Sequence, residues 1–370
     1  MPRHRPAADP PAVPPLYAHV HPGLEPIAAD EITRDLGGDV KRTARGLVVF
    51  RLPEITADVL KLRTTEDVFV LAWGSDTLTY KAADLKSITQ WTAKQKWDEL
   101  FRFHHAVRPK PKGKPNFHLV CQMQGEHGYR RVDALDALAD GLAGKVPANW
   151  VPAEENAWLE VWLTIQGKRA TCGVRLSDRT MRHRRYKKEH VAASLRPTMA
   201  AAMARLAGAA PGMVVLDPMC GAGTILAEVL DLSRRRKAGR VELLGGDNDP
   251  NAVFVAKENL EPQAHEGLTV RKWDALTLPL EPASVDRIVC NPPFGKQLSK
   301  PEEIPWLYRG LANEWDRVLK PGGRAVLLVA EQEPLRDAVR RFGWESAREL
   351  KVRVLGQPAV LSVWQKPGVT

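Results

Sequence analysis

Cysteine is scarce in this chain, and what there is does not pair. The 370 residues contain four, Cys121, Cys172, Cys220 and Cys290, widely spaced and without a C-x-x-C motif. That excludes a disulfide framework, gives no sign of a thiolate zinc site and points to reduced thiols. Long apolar runs are missing as well, since no stretch approaches the length of a membrane span. The opening MPRHRPAADPPAVPP is basic and proline-rich but has no apolar h-region. Residues 1–15 therefore read as a disordered tail, not a secretion signal, and the cytoplasm is the expected compartment. The histidine pairs His104–His105 and His183/His190 have neither partner cysteines nor clustered carboxylates. No metal is expected.

What is present is an unevenly placed positive charge. The net charge is +10; residues 1–211 carry 32 Lys and Arg against 23 Asp and Glu, whereas residues 212–370 carry 22 against 21. The excess belongs to the front half, and two clusters sharpen it. RPKPKGKP (108–115) has four cations and no acid, and DRTMRHRRYKKEH (178–190) has six Lys and Arg and two His against two acids. A polyanion that sheds counterions on binding is the partner such stripes suit; a merely solvated basic surface is the competing reading. A hydrophobic fraction of 44% suffices for real cores, and the length suggests two or three domains.

From residue 213 short apolar runs alternate with helical patterns, the mark of an α/β sheet wound by crossovers. Strands are expected at 213–217, 240–247, 268–274, 285–290 and 323–330, with helices near 223–235, 250–260, 304–319 and 334–342. ARELKVRVL and AVLSVWQKP, joined through GQP, leave no room for a helix, so a hairpin closes an otherwise parallel sheet.

Open sheets of this kind bind ligands at the carboxyl ends of their strands. The first expected strand ends in DPMCGAGT (217–224): Asp217 terminates it, Gly221 and Gly223 permit close backbone approach, and Thr224 opens the helix. The second ends in GGDNDP, where Asp247 suits the two hydroxyls of a ribose and Asp249 caps the helix begun by Pro250. The third ends in WDA, with Asp274 able to accept from an exocyclic amine, and the fourth in NPPF (291–294). The loop is not G-x-G-x-x-G, and an acid stands where a pyrophosphate would be repelled. A carboxylate there suits a ligand with an ammonium group.

These residues resemble the Rossmann-like S-adenosylmethionine-dependent methyltransferases over residues 190–366, with DPMCGAGT as the methionine-side loop and NPPF as the amino-methylating signature. The resemblance implies S-adenosyl-L-methionine as cofactor. It places Asp217, Cys220, the Gly221–Gly223 backbone and Thr224 at the methionine end, Asp247 on the ribose, Asn248 beside the adenine, and Asp274 with the Ala275 backbone on its amine. The insertion SRRRKAG (233–239) lengthens the spacing from Asp217 to Asp247 and leaves the register of Asp247 open.

NPPF suits amine chemistry for a physical reason. An exocyclic base amine is a poor nucleophile because its lone pair is delocalised into the ring. If the Asn291 side-chain oxygen and the Pro292 carbonyl both accept its N–H bonds, they aim the lone pair and favour the charge that develops on nitrogen. Pro292 and Pro293 fix φ and remove competing donors, Phe294 would stack on the planar substrate, and Asn291 would also border the cofactor. Relatives with NPPF or NPPY methylate guanine N2, adenine N6 or a glutamine side chain, so the front half must decide between them.

That half suggests an α+β layer over residues 16–75: strands at LYAHV, LVVFRL and VFVLAWG, with helices after PGLEP and over ADVLKLRTTE. A helical KSITQWTAKQKWDELFRF follows, then the basic link, the strand FHLVCQMQ, a helix near 133–145, and two long strands, AWLEVWLTI and RATCGVRL, turning at QGK. FHLVCQMQGEHGYRRVDALDALADGLAGKV with that hairpin resembles a THUMP domain, a module that binds the unpaired 3′ end of tRNA. The implied architecture is an N-terminal ferredoxin-like domain (16–80), a THUMP RNA-binding domain (81–178), a basic linker (179–195) and a Rossmann-like methyltransferase domain (196–370) with a mostly parallel seven-stranded sheet. The combination resembles the tRNA guanine-N2 methyltransferases that modify position 6 in the acceptor stem. Some eukaryotic relatives carry Asp and Leu at the positions of Asn291 and Pro292, which keeps an acceptor.

The expected partner is RNA, tRNA above all, bound by a monomer without membrane or metal. Expected phosphate contacts are Lys110, Lys112, Lys114, Arg182, Arg184, Arg185, Lys187, Lys188, Arg234 and Arg235. Competing readings are a guanine-N2 methyltransferase for ribosomal or another structured RNA, a protein-glutamine methyltransferase, which the basic front half disfavours, and a non-catalytic RNA-binding protein.

Overall fold

A computed structural model describes residues 13–155, 157–178, 181, 183–189, 194–236, 239–263, 267–293, 301–330 and 332–368. Its chain divides into two compact units, one drawn from residues up to His19, Ala29–Leu62 and Asp67–Asp178, the other from Val20–Ala28, Arg63–Glu66 and Arg179–Thr370.

The first unit is organised by an eight-stranded sheet. Its elements are β1 (Leu16–Val20), α1 (Glu25–Leu36), β2 (Asp39–Ala44), β3 (Leu47–Arg51), β4 (Thr65–Ser75), α2 (Ala83–Ala93), α3 (Trp97–Val107), β5 (Asn116–Gln124), α4 (Arg131–Leu142), β6 (Val151–Pro152), β7 (Leu159–Gln166) and β8 (Arg169–Arg175). The strand order is β2-β3-β1-β4-β8-β7-β5-β6. β4 pairs with β8, so residues on both sides of position 80 share one sheet. The expected hairpin forms, β7 against β8, with Gly167 taking the positive φ of the turn.

Two expectations change here, and one strand was not anticipated. ADVLKLRTTE is not a helix: only Ala57–Lys61 coils, as a 3-10 turn capped by Thr56, and the buried β-branched Thr65 already begins β4. The long helical stretch breaks at 94–96 into α2 and α3, where the Trp97 indole turns back to donate to the Thr92 carbonyl at 2.8 Å. β2, DVKRTA, has no apolar alternation to announce it because it is an exposed edge strand.

The second unit carries α5 (Pro197–Ala207), β9 (Val214–Asp217), α6 (Thr224–Arg235), β10 (Glu242–Asp247), α7 (Pro250–Leu260), β11 (Leu268–Lys272), β12 (Val285–Cys290), α8 (Ile304–Val318), β13 (Leu319–Val329), α9 (Gln332–Arg340), β14 (Glu345–Val354) and β15 (Gln357–Gln365). Its sheet runs β11-β10-β9-β12-β13-β15-β14, parallel except for β15, which lies antiparallel to both neighbours. That is the mostly parallel seven-stranded sheet expected, closed by the expected hairpin. Order reverses between β9 and β12, which leaves a crevice at their carboxyl ends.

Glycines let the crevice wall close. A Cβ on Gly246 of β10 would lie 2.1 Å from the Trp273 ring, whose Nε1 donates to the Pro218 carbonyl at 3.0 Å. The Cys220 amide in turn donates to the Gly246 carbonyl at 2.8 Å, so the loop after β9 is held against β10. Behind it, the carboxylate of Glu228 on α6 is buried and receives Arg63 at 2.8 and 2.9 Å, Arg184 at 3.0 Å and the Tyr186 hydroxyl at 2.7 Å. Burial alone would raise this carboxyl; the Arg184 and Arg63 guanidiniums outweigh it and hold it below the ordinary range.

Gly246→Ala should therefore lower unfolding free energy by roughly 1–3 kcal/mol through overpacking against Trp273, measured by denaturant titration. An unchanged midpoint would mean that the indole is not fixed there.

Candidate active site

The crevice between β9 and β12 opens into a cleft of about 290 Å³. The parallel register Arg287↔Val215 and Ile288↔Leu216 sets Asn291, just past β12, beside Asp217 at the end of β9. Of the residues singled out from sequence, Asp217, Cys220, Gly221, Thr224, Asp247, Asn248, Asn291 and Pro293 line the cleft. Gly223 does not; it is the left-handed N-cap of α6, at φ 73°. Pro292 is buried. Phe294 lies outside the described residues.

Two of these side chains carry unspent hydrogen-bonding capacity. Asp217 is 1% exposed; its Oδ1 accepts from the Met219 amide at 3.3 Å, while Oδ2 is buried with no partner among the described residues. Asn291 Oδ1 is likewise buried and unpartnered. A buried acceptor left without a donor costs about 1–3 kcal/mol, so two of them facing one cleft mark a place for donors brought by ligands. Burial pushes the Asp217 carboxyl well above its usual range; the Met219 amide pulls it back in part, and the neighbouring Asp247 charge adds a smaller upward push.

Asp247 takes the position that the insertion had left open. It ends β10, and its two oxygens accept from the Gly221 amide at 3.0 Å and the Asp249 amide at 3.1 Å, tying strand end to glycine loop. Asp249 caps α7 through the Asn251 amide at 2.9 Å, with Pro250 in the first turn as expected. Asp274 and Ala275 are different. They do not line the cleft: Asp274 is exposed and its Oδ1 closes a turn by accepting from the Leu276 amide at 2.9 Å, while Ala275 is buried in the core. The buried Cys220 and Cys290 thiols are both pushed up by desolvation, then by nearby Asp217 and Asp247, which suits packing and not nucleophilic attack.

The basic segment is only partly what its composition suggested. Arg184 is a correction: it is 7% exposed, its guanidinium bonded to Glu228 and to the Arg63 and Met181 carbonyls, so it faces inward. Arg185 and Lys188 are exposed, as are Lys110, Lys112, Lys114, Arg234 and Arg235, although Arg235 pairs with Asp231 and Arg234 donates to the Gln263 carbonyl. Lys187 is half-buried, and Arg182 lies outside the described residues.

Sequence reasoning missed Ser194, Leu195 and Asn259. The first two line the cleft, and the Ser194 Oγ is a third buried, unpartnered polar atom. Asn259 ties the stretch ahead of them to the glycine loop. Its amide donates to the Ala222 carbonyl in the glycine loop and the Glu189 carbonyl, both at 3.1 Å, and its Oδ1 accepts from the Lys188 and Glu189 amides at 2.9 and 3.0 Å. An asparagine on an otherwise apolar helix face, KENL at the end of α7, was the available signal.

A family model described as RMKL-like, methyltransferase domain matches residues 184–358, a span that holds β9 to β14 and the whole glycine loop. The segment has the Rossmann-like methyltransferase fold. The chain is 27% identical to a tRNA (guanine(6)-N2)-methyltransferase of Thermus thermophilus, over 88% of this chain and 91% of the relative. It is 31% identical to the tRNA (guanine(6)-N(2))-methyltransferase THUMP3 of Bos taurus, over 66% of this chain but only 50% of that protein. The crystal structure of TrmN from Thermus thermophilus superposes with a TM-score of 0.76 at 26% identity, covering 95% of this chain and 99% of that one. The methyltransferase uses S-adenosyl-L-methionine. The unpartnered Asp217 oxygen fits its ammonium, and the open backbone of Gly221 fits a closely approaching ligand.

The buried Asp217 should be a liability in the free methyltransferase. Its folded-state pKa is raised, so the stability it contributes is full at low pH and is lost as pH rises above the ordinary carboxylate value near ~4. Asp217→Asn should thus unfold later than the parent, by a margin that grows with pH at about 1.4 kcal/mol per unit until Asp217 ionises. The same variant should bind S-adenosylmethionine poorly. Denaturation across a pH series with a cofactor titration reads both; a pH-independent margin would refute the buried-charge account.

Proposed function

We propose that this protein transfers a methyl group from S-adenosylmethionine to the exocyclic N2 amine of a guanosine in tRNA, at position 6 of the acceptor stem. The observation that carries it is the meeting of two buried, unpartnered acceptors, Asp217 Oδ2 and Asn291 Oδ1, at the ends of adjacent parallel strands. The identity to the Thermus relative, which spans nearly the whole chain, supports the substrate.

The cofactor supplies an electrophilic methyl group; everything else falls to side chains. Asp217 takes the ammonium end, with the Gly221 backbone and Thr224 beside it. Asp247 takes ribose hydroxyls with the lone pairs its two backbone donors leave free, and Asn248 flanks the adenine. Asn291 Oδ1 accepts one N–H of the guanine amine and the Pro292 carbonyl the other, so the lone pair points at the methyl group and charge developing on nitrogen is met by fixed dipoles. The amine becomes acidic once alkylated and sheds its proton to water, so no strong base is required. The base must leave its stack to reach Asn291.

Residues 81–178 serve as the THUMP module that grips the unpaired 3′ end, behind the ferredoxin-like layer of 16–80, and so fix how far down the stem the reacting base lies. Residues 179–195 link them to the methyltransferase domain of 196–370. Exposed Lys110, Lys112, Lys114, Arg185, Lys188, Arg234 and Arg235 supply phosphate contacts that set register without reading sequence. No helix among the described residues is long and apolar enough to cross a membrane; a monomer working on cytoplasmic tRNA is part of the same proposal.

Labelled S-adenosylmethionine with unmodified tRNA transcripts should yield N2-methylguanosine mapping to position 6. Asn291→Ala should leave the cofactor dissociation constant within about twofold while slowing methyl transfer roughly 10²–10³-fold, the scale of losing one fixed polar group at a developing charge. Equal loss of both would remove Asn291 from the chemistry; label on structured RNAs other than tRNA would move the substrate.

A further inference from the structure

A second cleft, of about 530 Å³, adjoins the first. The two share one residue, Ser194, whose Oγ is buried and without a partner among the described residues. We infer that this second cleft seats a backbone phosphate of the RNA next to the reacting nucleotide, an inference that rests on the RNA-methylating reading above.

The walls carry two cations, Lys187 and Arg196, that no carboxylate among the described residues claims. Lys187 is half-buried, and its Nζ donates at 2.9 Å to the Leu195 carbonyl, a neutral partner. None of the described carboxylates lies within ion-pair distance of it. A buried ammonium without a counter-charge is costly, and burial indeed pushes this lysine down to about 8. An anion in the cleft would reverse that penalty. His183 and Arg196, both exposed, stand on the same walls. Arg196 is the N-cap of α5 but makes no side-chain cap, and Pro197 follows in the first turn, so the positive end of an eleven-residue helix also opens here. Arg184 contributes shape alone, since Glu228 holds its charge.

One wall residue opposes the assignment and thereby tests it. Glu66 lines the cleft and accepts from the Thr198 hydroxyl at 2.9 Å. Its carboxylate must repel a phosphate, so its neutralisation should help binding. A structural role for Glu66 predicts the opposite.

The geometry also suits a nucleotide as the bridging ligand. A guanine entering the first cleft to meet Asn291 carries its sugar toward the rim, and the adjoining phosphodiester needs donors close by. Ser194, with a free hydroxyl at the junction, stands where base and backbone part.

The experiment is titration of full-length protein with unmodified tRNA across a salt series, for the parent and for Lys187→Met, Arg196→Gln and Glu66→Gln. The two cation variants should each weaken binding roughly tenfold and reduce the steepness of log K against log salt by about 1, the signature of one lost phosphate contact. Glu66→Gln should tighten binding severalfold. Arg196→Gln should leave S-adenosylmethionine affinity unchanged, which separates lost RNA contact from a damaged cofactor cleft. Parental slopes in both cation variants, or no gain in Glu66→Gln, would overturn this assignment and leave the RNA-methylating reading standing. A parent that neither binds nor methylates tRNA would remove both.

Discussion

The parallel pairing of β9 with β12 is the constraint on which the site depends. Sequence places Asp217 and Asn291 seventy-four positions apart; the register of two short buried strands makes them neighbours. A one-residue slip would turn every side chain on a strand to the opposite face of the sheet. Register is secure because both strands are buried on both faces, with Val215, Leu216, Ile288 and Val289 showing no exposed surface. The apolar core thus fixes the separation of two polar atoms that contribute nothing to it. The strand-order reversal then supplies the opening, since no crossover helix covers the gap between β9 and β12.

Glu228 plays the corresponding part for the segment ahead of the sheet. A fully buried carboxylate is tolerable only if its charge is met, and here two guanidiniums and a phenol meet it. Asn259 adds four further bonds, with the Ala222 and Glu189 carbonyls and the Lys188 and Glu189 amides. Both residues sit on helices of the methyltransferase domain, α6 and α7, and each reaches into the basic stretch 184–189. That stretch is therefore an ordered wall with its charges sorted: Arg184 is spent on structure, exposed Lys188 meets Glu261 at 3.7 Å, and Arg185 and Lys187 pair with no carboxylate among the described residues. Composition counts all four alike, which is why sequence alone put Arg184 among the RNA contacts.

Most of the sheet could be read from sequence because its strands are buried, apolar and separated by helices with clear ends, such as Asp249-Pro250. The polar strand ends were equally legible, because a carboxylate or amide closing a buried apolar run has few structural reasons to be there. What escaped reading had a physical cause each time. β2 is an edge strand without apolar alternation, and Ala57–Lys61 has helical spacing but only one buried residue, Val59, to hold a helix down. Asp274 closes a local turn through Oδ1, a bond its strand-end pattern did not announce. Ser194 and Leu195 line the cleft just after a stretch, 184–189, that is held by tertiary bonds to Asn259 and Glu228, which no periodicity encodes.

The two clefts share Ser194 yet differ in sign, and that difference assigns their occupants. Asp217 and Asp247 make the first acidic, which favours a cationic donor and disfavours any phosphate that strays in. Lys187 and Arg196 make the second basic, with Glu66 as a partial brake. An RNA strand is drawn to the basic wall by charge, and only its neutral base is admitted to the acidic one. Charge therefore orients the nucleotide before any base-specific hydrogen bond forms, and the cofactor cleft stays clear of the polyanion that the rest of the surface attracts. The buried, unpartnered acceptors persist in such a cleft because their cost is recovered only when donor and amine are both in place. A site so arranged sacrifices stability in the free protein for polar groups already aimed at the charge that methyl transfer creates.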